Sequence, residues 1–208
     1  MNNLDKFYEE SLNQNSPTAA YAQSYCRYLS GILLGLDYSK IGEFVDLLLA
    51  TRKSGKNIYF IGNGGSAATA SHFANDLQIG PTRYTTKSFK AISLADNSAI
   101  LTCIANDFGY DEVFKRQLEI ILTPGDLVVA ISASGNSPNI LRAVEYCKSQ
   151  GNKVVGVSGF DGGQLQILSD LNININTPKD EYGPVEDLHM VLDHLVSTYL
   201  IRHIQTES

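Results

Sequence analysis

The sequence predicts a doubly wound α/β fold, a mostly parallel five-stranded sheet preceded by a helical arm over residues 1–53. Three observations carry this reading. Short β-prone runs alternate with helix-period segments from Asn57 onward. Two turns rich in glycine and serine each follow such a run and open a helix. The first fifty or so residues carry helical periodicity and no strand. Strands alternating with helices imply parallel neighbours, because a parallel pair needs a long crossover that covers a face of the sheet.

Taken in order, the arm is clearest over residues 41–52, where Ile41, Phe44, Val45, Leu48 and Leu49 recur at three- and four-residue steps. Residues 57–61 form a strand, Gly62-Asn63-Gly64-Gly65-Ser66 a turn, and a helix runs on to about Leu77. A strand over 89–94, helices over 98–105 and 112–121, and a strand over 126–131 follow. The turn Ser132-Ala133-Ser134-Gly135-Asn136-Ser137 opens a helix to about Gln150. Strands over 153–158 and 173–175 and a closing helix over 185–204 complete the pattern, with 205–208 expected as a loose tail.

At 208 residues and 43% hydrophobic content the chain suits one domain over 1–208 with a continuous core. A formal charge of −6 without a Lys/Arg block argues against nucleic acid and anionic membranes as partners. Cys26, Cys103 and Cys147 are odd in number and widely spaced, which offers neither a disulfide framework nor a CxxC site and suggests a reducing compartment. The polar start at Met1-Asn2-Asn3 lacks a signal-peptide pattern, and no segment is long and apolar enough to span a bilayer. A cytoplasmic location is expected.

In open α/β sheets the ligand crevice lies at the carboxyl ends of the strands. Both small-residue turns fall there. The glycines of the first turn let backbone N–H groups approach an anion beside a helix N-terminus, and the serines of the second supply hydroxyl donors. Neither turn matches GxxxxGK[ST] or GxGxxG, so a phosphorylated ligand smaller than a nucleotide fits better. Read alone, each turn is equally a strand-to-helix connection with a serine cap. His72 and Asp76 stand four apart on the first helix, and Glu186, His189 and His194 share the last one. Such histidines and carboxylates suit zinc and suit proton transfer equally.

On these residues the chain resembles the phosphoheptose isomerase family within the sugar isomerase (SIS) domains. The likeness spans nearly the whole chain. It rests on Gly62–Ser66, His72-Phe73-Ala74, Asn106-Asp107-Phe108-Gly109, the serine turn, Asp161-Gly162-Gly163, and the helix bearing Glu186, His189 and His194. The resemblance implies a flavodoxin-like SIS fold and an isomerase that converts D-sedoheptulose 7-phosphate to D-glycero-D-manno-heptose 7-phosphate for bacterial surface polysaccharide, lipopolysaccharide or capsule. It implies a homotetramer with active sites between subunits and one zinc ion per subunit. Asn63, Gly64, Gly65, Ser66, Asn106, Asp107, Ser132, Ala133, Ser134 and Ser137, with Asp76 and Glu186, would contact the sugar phosphate. His72, Asp76, Glu186 and His194 would surround the zinc, and Asp76 and His194 would be the acid/base pair.

Three positions depart from the family pattern. Asp76 stands where family members usually carry glutamate, withdrawing the carboxylate by about 1.5 Å. Glu186 stands where glutamine is usual. The two changes are expected to compensate, with Glu186 supplying the charge that Asp76 withdraws. Glu181-Tyr182-Gly183-Pro184 replaces a more polar stretch beside the expected site. Competing readings are a non-catalytic SIS scaffold that binds another protein, resembling the replication-initiator associating protein, and an isomerase of another ketose phosphate.

Overall fold

A computed structural model describes residues 2–207; Met1 and Ser208 lie outside the described residues. The arm is three helices, α1 (Asn3–Ser11), α2 (Pro17–Leu34) and α3 (Tyr38–Lys53). Local signals set their starts. Asn2 accepts from the Asp5 N–H, Pro17 sits in the first turn of α2, and Asp37 accepts from the N–H groups of Ser39 and Lys40. Then come β1 (Asn57–Gly62), α4 (Gly64–Ile79), β2 (Lys90–Ser93), α5 (Ser98–Phe108), α6 (Lys115–Ile121) and β3 (Leu127–Ser132). The chain ends in α7 (Pro138–Ser149), β4 (Lys153–Gly159), α8 (Gly163–Leu168), β5 (Leu171–Ile175) and α9 (Tyr182–Glu207).

Among the described residues the sheet has five strands, all parallel, in the order β2-β1-β3-β4-β5. Alternate residues of each strand therefore feed opposite faces. Ile58 and Phe60 of β1 and Val129 of β3 join Phe44 and Leu48 of α3, Phe73 and Leu77 of α4, and Leu192, Val196 and Leu200 of α9 in one core. Tyr59, Ile61, Val128 and Ala130 point the other way, into Ile104 of α5, Leu118 of α6, Ile140 and Val144 of α7, and Phe114 just before α6. Chain order reverses between β1 and β3, so the turns after these neighbouring strands open side by side.

The structure adds to and corrects the sequence reading. Short α8, with only Leu165 of its residues fully covered, has too weak a periodicity to stand out. Residues 205–207 are not a loose tail: α9 continues to Glu207, whose carboxylate pairs with Arg52 Nη1 at 2.9 Å. Helix α9 also begins at Tyr182, so Pro184 lies in its first turn. The residue before it, Glu181, is fully buried and ties the arm down. It accepts from the Asn3 N–H at 2.7 Å and from the Tyr28 hydroxyl at 2.5 Å.

Candidate functional site

The turns after β1 and β3 enclose a cavity of about 140 Å³ lined by Asn63, Ser66, Ser132, Ala133, Ser134 and Ser137, with Tyr182 and Glu186 closing it from α9. Gly64 adopts a positive φ of 53°, which turns the chain from strand into helix at little cost only for glycine. The serine turn is held from outside. Gly159 N–H donates to Ala133 O at 3.0 Å, Leu165 N–H to Gly135 O at 2.9 Å, and Gln164 N–H to Asn136 Oδ1 at 3.0 Å. A side chain on Gly135 or Gly163 would strike the opposing turn. The Asp161-Gly162-Gly163 motif thus supports the serine turn by close backbone approach.

Asn63 links the two turns. Its side-chain amide exchanges reciprocal 2.9 Å hydrogen bonds with Asn139 in the first turn of α7, and the Tyr110 hydroxyl donates to its Oδ1 at 2.9 Å. Asn139 and Tyr110, which sequence reasoning missed, hold the Asn63 side chain in place. Only the pairings across 76 and 47 residues reveal them.

The remaining chemistry lies between α4 and α9, which run parallel in a constant register. His72 meets Asp193 and Asp76 meets Ser197, both pairs 121 residues apart in sequence, and Gly65 faces Glu186 at the same offset. The steps on both helices are seven and then four residues, the spacing that keeps side chains on one face. Glu186 is therefore level with the N-terminal end of α4, where a Cβ on Gly65 would collide with its carboxylate. Two turns further along, about 10 Å by helix rise, His72 Nδ1 lies 2.8 Å from Asp193 Oδ2 and 3.7 Å from Asp76 Oδ2. The His194 ring packs edge-on to His72 with centroids 5.0 Å apart.

Donor atoms of His72, Asp76, Asp193 and His194 all lie within 4.8 Å of one another, a set of two imidazoles and two carboxylates that can hold a metal ion. Burial pushes the Asp193 carboxyl up to about 6, against the lowering effect of the His72 contact. Its Oδ1 is buried without a hydrogen-bond partner. A buried carboxylate so placed fits a cation that completes its coordination. Three of the four expected metal residues come together here, and Asp193 joins them. The fourth, Glu186, lines the cavity instead. The sequence reading did not single out Asp193.

Asn106 and Asp107 lie exposed on α5 and do not line this cavity. His189 is wholly buried, its Nε2 3.1 Å from Ser158 O at the end of β4, and burial pushes its pKa down to about 4 despite that bond. It supports the sheet and does not join the cluster.

A SIS-domain family matches residues 20–159. The phosphoheptose isomerase of Helicobacter pylori strain P12 is 40% identical over 161 residues, covering 77% of this chain and 82% of that protein. The chain belongs to the phosphoheptose isomerase family of SIS-domain proteins. Among solved structures, the phosphoheptose isomerase of Neisseria gonorrhoeae superposes with a TM-score of 0.73 at 28% identity, covering 89% of this chain and 96% of that one. A phosphoheptose isomerase of Francisella tularensis reaches a TM-score of 0.76 over the whole of both chains at 24% identity, a likeness of fold. Within the family fold, the cavity sits at the switch point and the His72 cluster two helical turns beyond it.

Proposed function

We propose that this phosphoheptose isomerase family member interconverts D-sedoheptulose 7-phosphate and D-glycero-D-manno-heptose 7-phosphate in the cytoplasm, supplying heptose for lipopolysaccharide or capsule. The observation that carries the reading is a pairing: a hydroxyl- and amide-lined cavity at the N-terminus of α4, and a His/Asp cluster two turns along between α4 and α9. The first suits a phosphate, the second the movement of protons. A phosphate and a reactive carbonyl at opposite ends of a sugar need such a separation.

The isomerisation moves a hydrogen between the carbonyl carbon and its neighbour through an enediol. One group removes the proton from carbon, and another protonates and later deprotonates the oxygens. Asp76 and His194 are the assigned pair. Asp76 is held by Ser197 and Asn75, which donate at 3.5 and 3.2 Å, and His194 is exposed to solvent. Ser66, Ser132, Ser134 and Ser137, with the backbone of Asn63, Gly64 and Gly65 and the wall at Ala133, are assigned to the phosphate end. Glu186, a carboxylate in that cavity, is better placed to accept from a sugar hydroxyl than to hold a phosphate. His72, Asp76 and His194 would hold zinc. When bound, it supplies polarisation of the substrate oxygen as a Lewis acid.

A homotetramer with shared sites accommodates two further features. Val191, Leu195 and Tyr199 form an exposed apolar stripe along α9. Asn106 and Asp107, assigned to substrate, are exposed away from the cavity of their own chain.

The substrate is tested with a panel of five-, six- and seven-carbon ketose phosphates and unphosphorylated sedoheptulose, following aldose formation by NMR. The highest kcat/KM is expected for sedoheptulose 7-phosphate, with the unphosphorylated sugar on the order of 10³-fold poorer or worse. A shorter ketose phosphate turned over faster would reassign the substrate.

A further inference from the structure

The metal reading above was built on His72, Asp76 and Glu186 with His194, yet the α4–α9 register separates Glu186 from the other three. We infer that Asp193, rather than Glu186, supplies the fourth side-chain donor of the cation site formed with His72, Asp76 and His194. The inference rests on the proposal that this cluster binds a metal.

Three observations carry it. The first is position: Asp193 is level with His72, whereas the Glu186 carboxylate lies against Gly65 at the start of α4. The second is spacing. Nitrogen and oxygen donors about 2.0–2.2 Å from a tetrahedral zinc must lie roughly 3.3–3.5 Å apart. The 3.7 Å from His72 Nδ1 to Asp76 Oδ2 is close to that value, and the 2.8 Å from His72 Nδ1 to Asp193 Oδ2 is a hydrogen bond that holds the two donors together where an ion would replace the shared proton. The third is burial. Asp193 has no exposed surface, yet its Oδ1 has no hydrogen-bond partner. A buried anion left half-satisfied is a poor way to join two helices, since an apolar residue there would cost nothing in desolvation. A cation accounts for it, because the ion's charge offsets bringing the buried Asp193 carboxylate beside the half-buried Asp76 carboxylate.

The consequence for α9 is a division of labour between residues one heptad apart. Glu186 faces the sugar phosphate and Asp193 faces the metal.

The test compares the wild-type chain with D193N, D193L and E186Q. Zinc affinity is measured by competition with a chromophoric chelator, and the visible spectrum of each cobalt-loaded protein is recorded. Wild type and E186Q are expected to hold about one zinc per chain with equal affinity and the same cobalt spectrum. Both Asp193 variants are expected to lose affinity by roughly 10- to 100-fold or more, with an altered cobalt spectrum. Thermal melts of the metal-free proteins guard against misfolding. D193L is expected to melt at or above wild type without metal and to lack the rise that zinc gives wild type. Wild-type zinc affinity in D193N, or an equal loss in E186Q, overturns the inference while leaving the metal reading intact. A wild-type chain that binds no zinc overturns both.

Discussion

Gly65 shows how one missing side chain organises the site. A methyl group there would occupy the space of the Glu186 carboxylate. What must yield is the end of a flexible side chain, so Gly65→Ala should fold normally, helped by alanine's better helix propensity. The displaced carboxylate should nonetheless cost activity. Gly65→Ala is expected to lower kcat/KM on the order of 10²-fold through misplacement of a substrate contact, with a thermal midpoint close to wild type. Wild-type kcat/KM in this variant would remove Glu186 from the substrate end. At this scale the sequence was partly legible. The glycine turn, the serines, His72, Asp76 and His194 announced themselves by residue type and by their places at strand ends or on one helix face. Asp193 did not, because an aspartate within an amphipathic helix reads as solvent-facing until the packing of α9 on α4 turns it inward. For the same reason the expected compensation between Asp76 and Glu186 has no contact behind it: Asp76 meets Ser197, and Glu186 meets Gly65.

Among elements, the parallel pair α4 and α9 carries the argument. Both helices follow strands of a wholly parallel sheet and so return in the same direction, and a shared seven-plus-four spacing keeps the facing residues in step. The alternation of strands and helices made this architecture readable in advance, since β-prone runs and helical periodicity are local properties. The register between two helices more than a hundred residues apart is not local and was illegible. His189 belongs to this scale too, since it fixes α9 to the end of β4. Burial lowers its pKa to about 4, whereas an unfolded histidine titrates near 6.5. Between these values the unfolded chain binds the extra proton, so stability is present above about pH 6.5 and is lost as pH falls toward 4. Urea unfolding at pH 7 and pH 5 is expected to show a loss of about 2 kcal/mol from this group. His189→Gln, which keeps a donor for Ser158 O, should lose about that much less. Equal losses in the two proteins would assign the acid sensitivity elsewhere.

Over the whole molecule, the helical arm, the sheet and α9 meet at the segment before the site. Glu181 anchors α1 and α2 through Asn3 and Tyr28, Tyr25 donates to Asp187 at 2.5 Å, and Tyr182 between these anchors lines the cavity. The segment that departs from the family pattern is thus a joint between the arm and the cavity, a role that required the fold to be seen. Among the described residues no helix is long and apolar enough to cross a membrane. The central claim is that one cavity and one cluster on α4 and α9 together isomerise a seven-carbon ketose phosphate. The most direct measurement is incubation of the zinc-loaded wild-type protein and His194→Ala with sedoheptulose 7-phosphate, following the aldose heptose phosphate by NMR. Steady formation of the aldose by wild type, with His194→Ala slower on the order of 10²- to 10⁴-fold, is expected for loss of a general acid–base group; absence of aldose from the zinc-loaded wild type, or undiminished formation by His194→Ala, would contradict it.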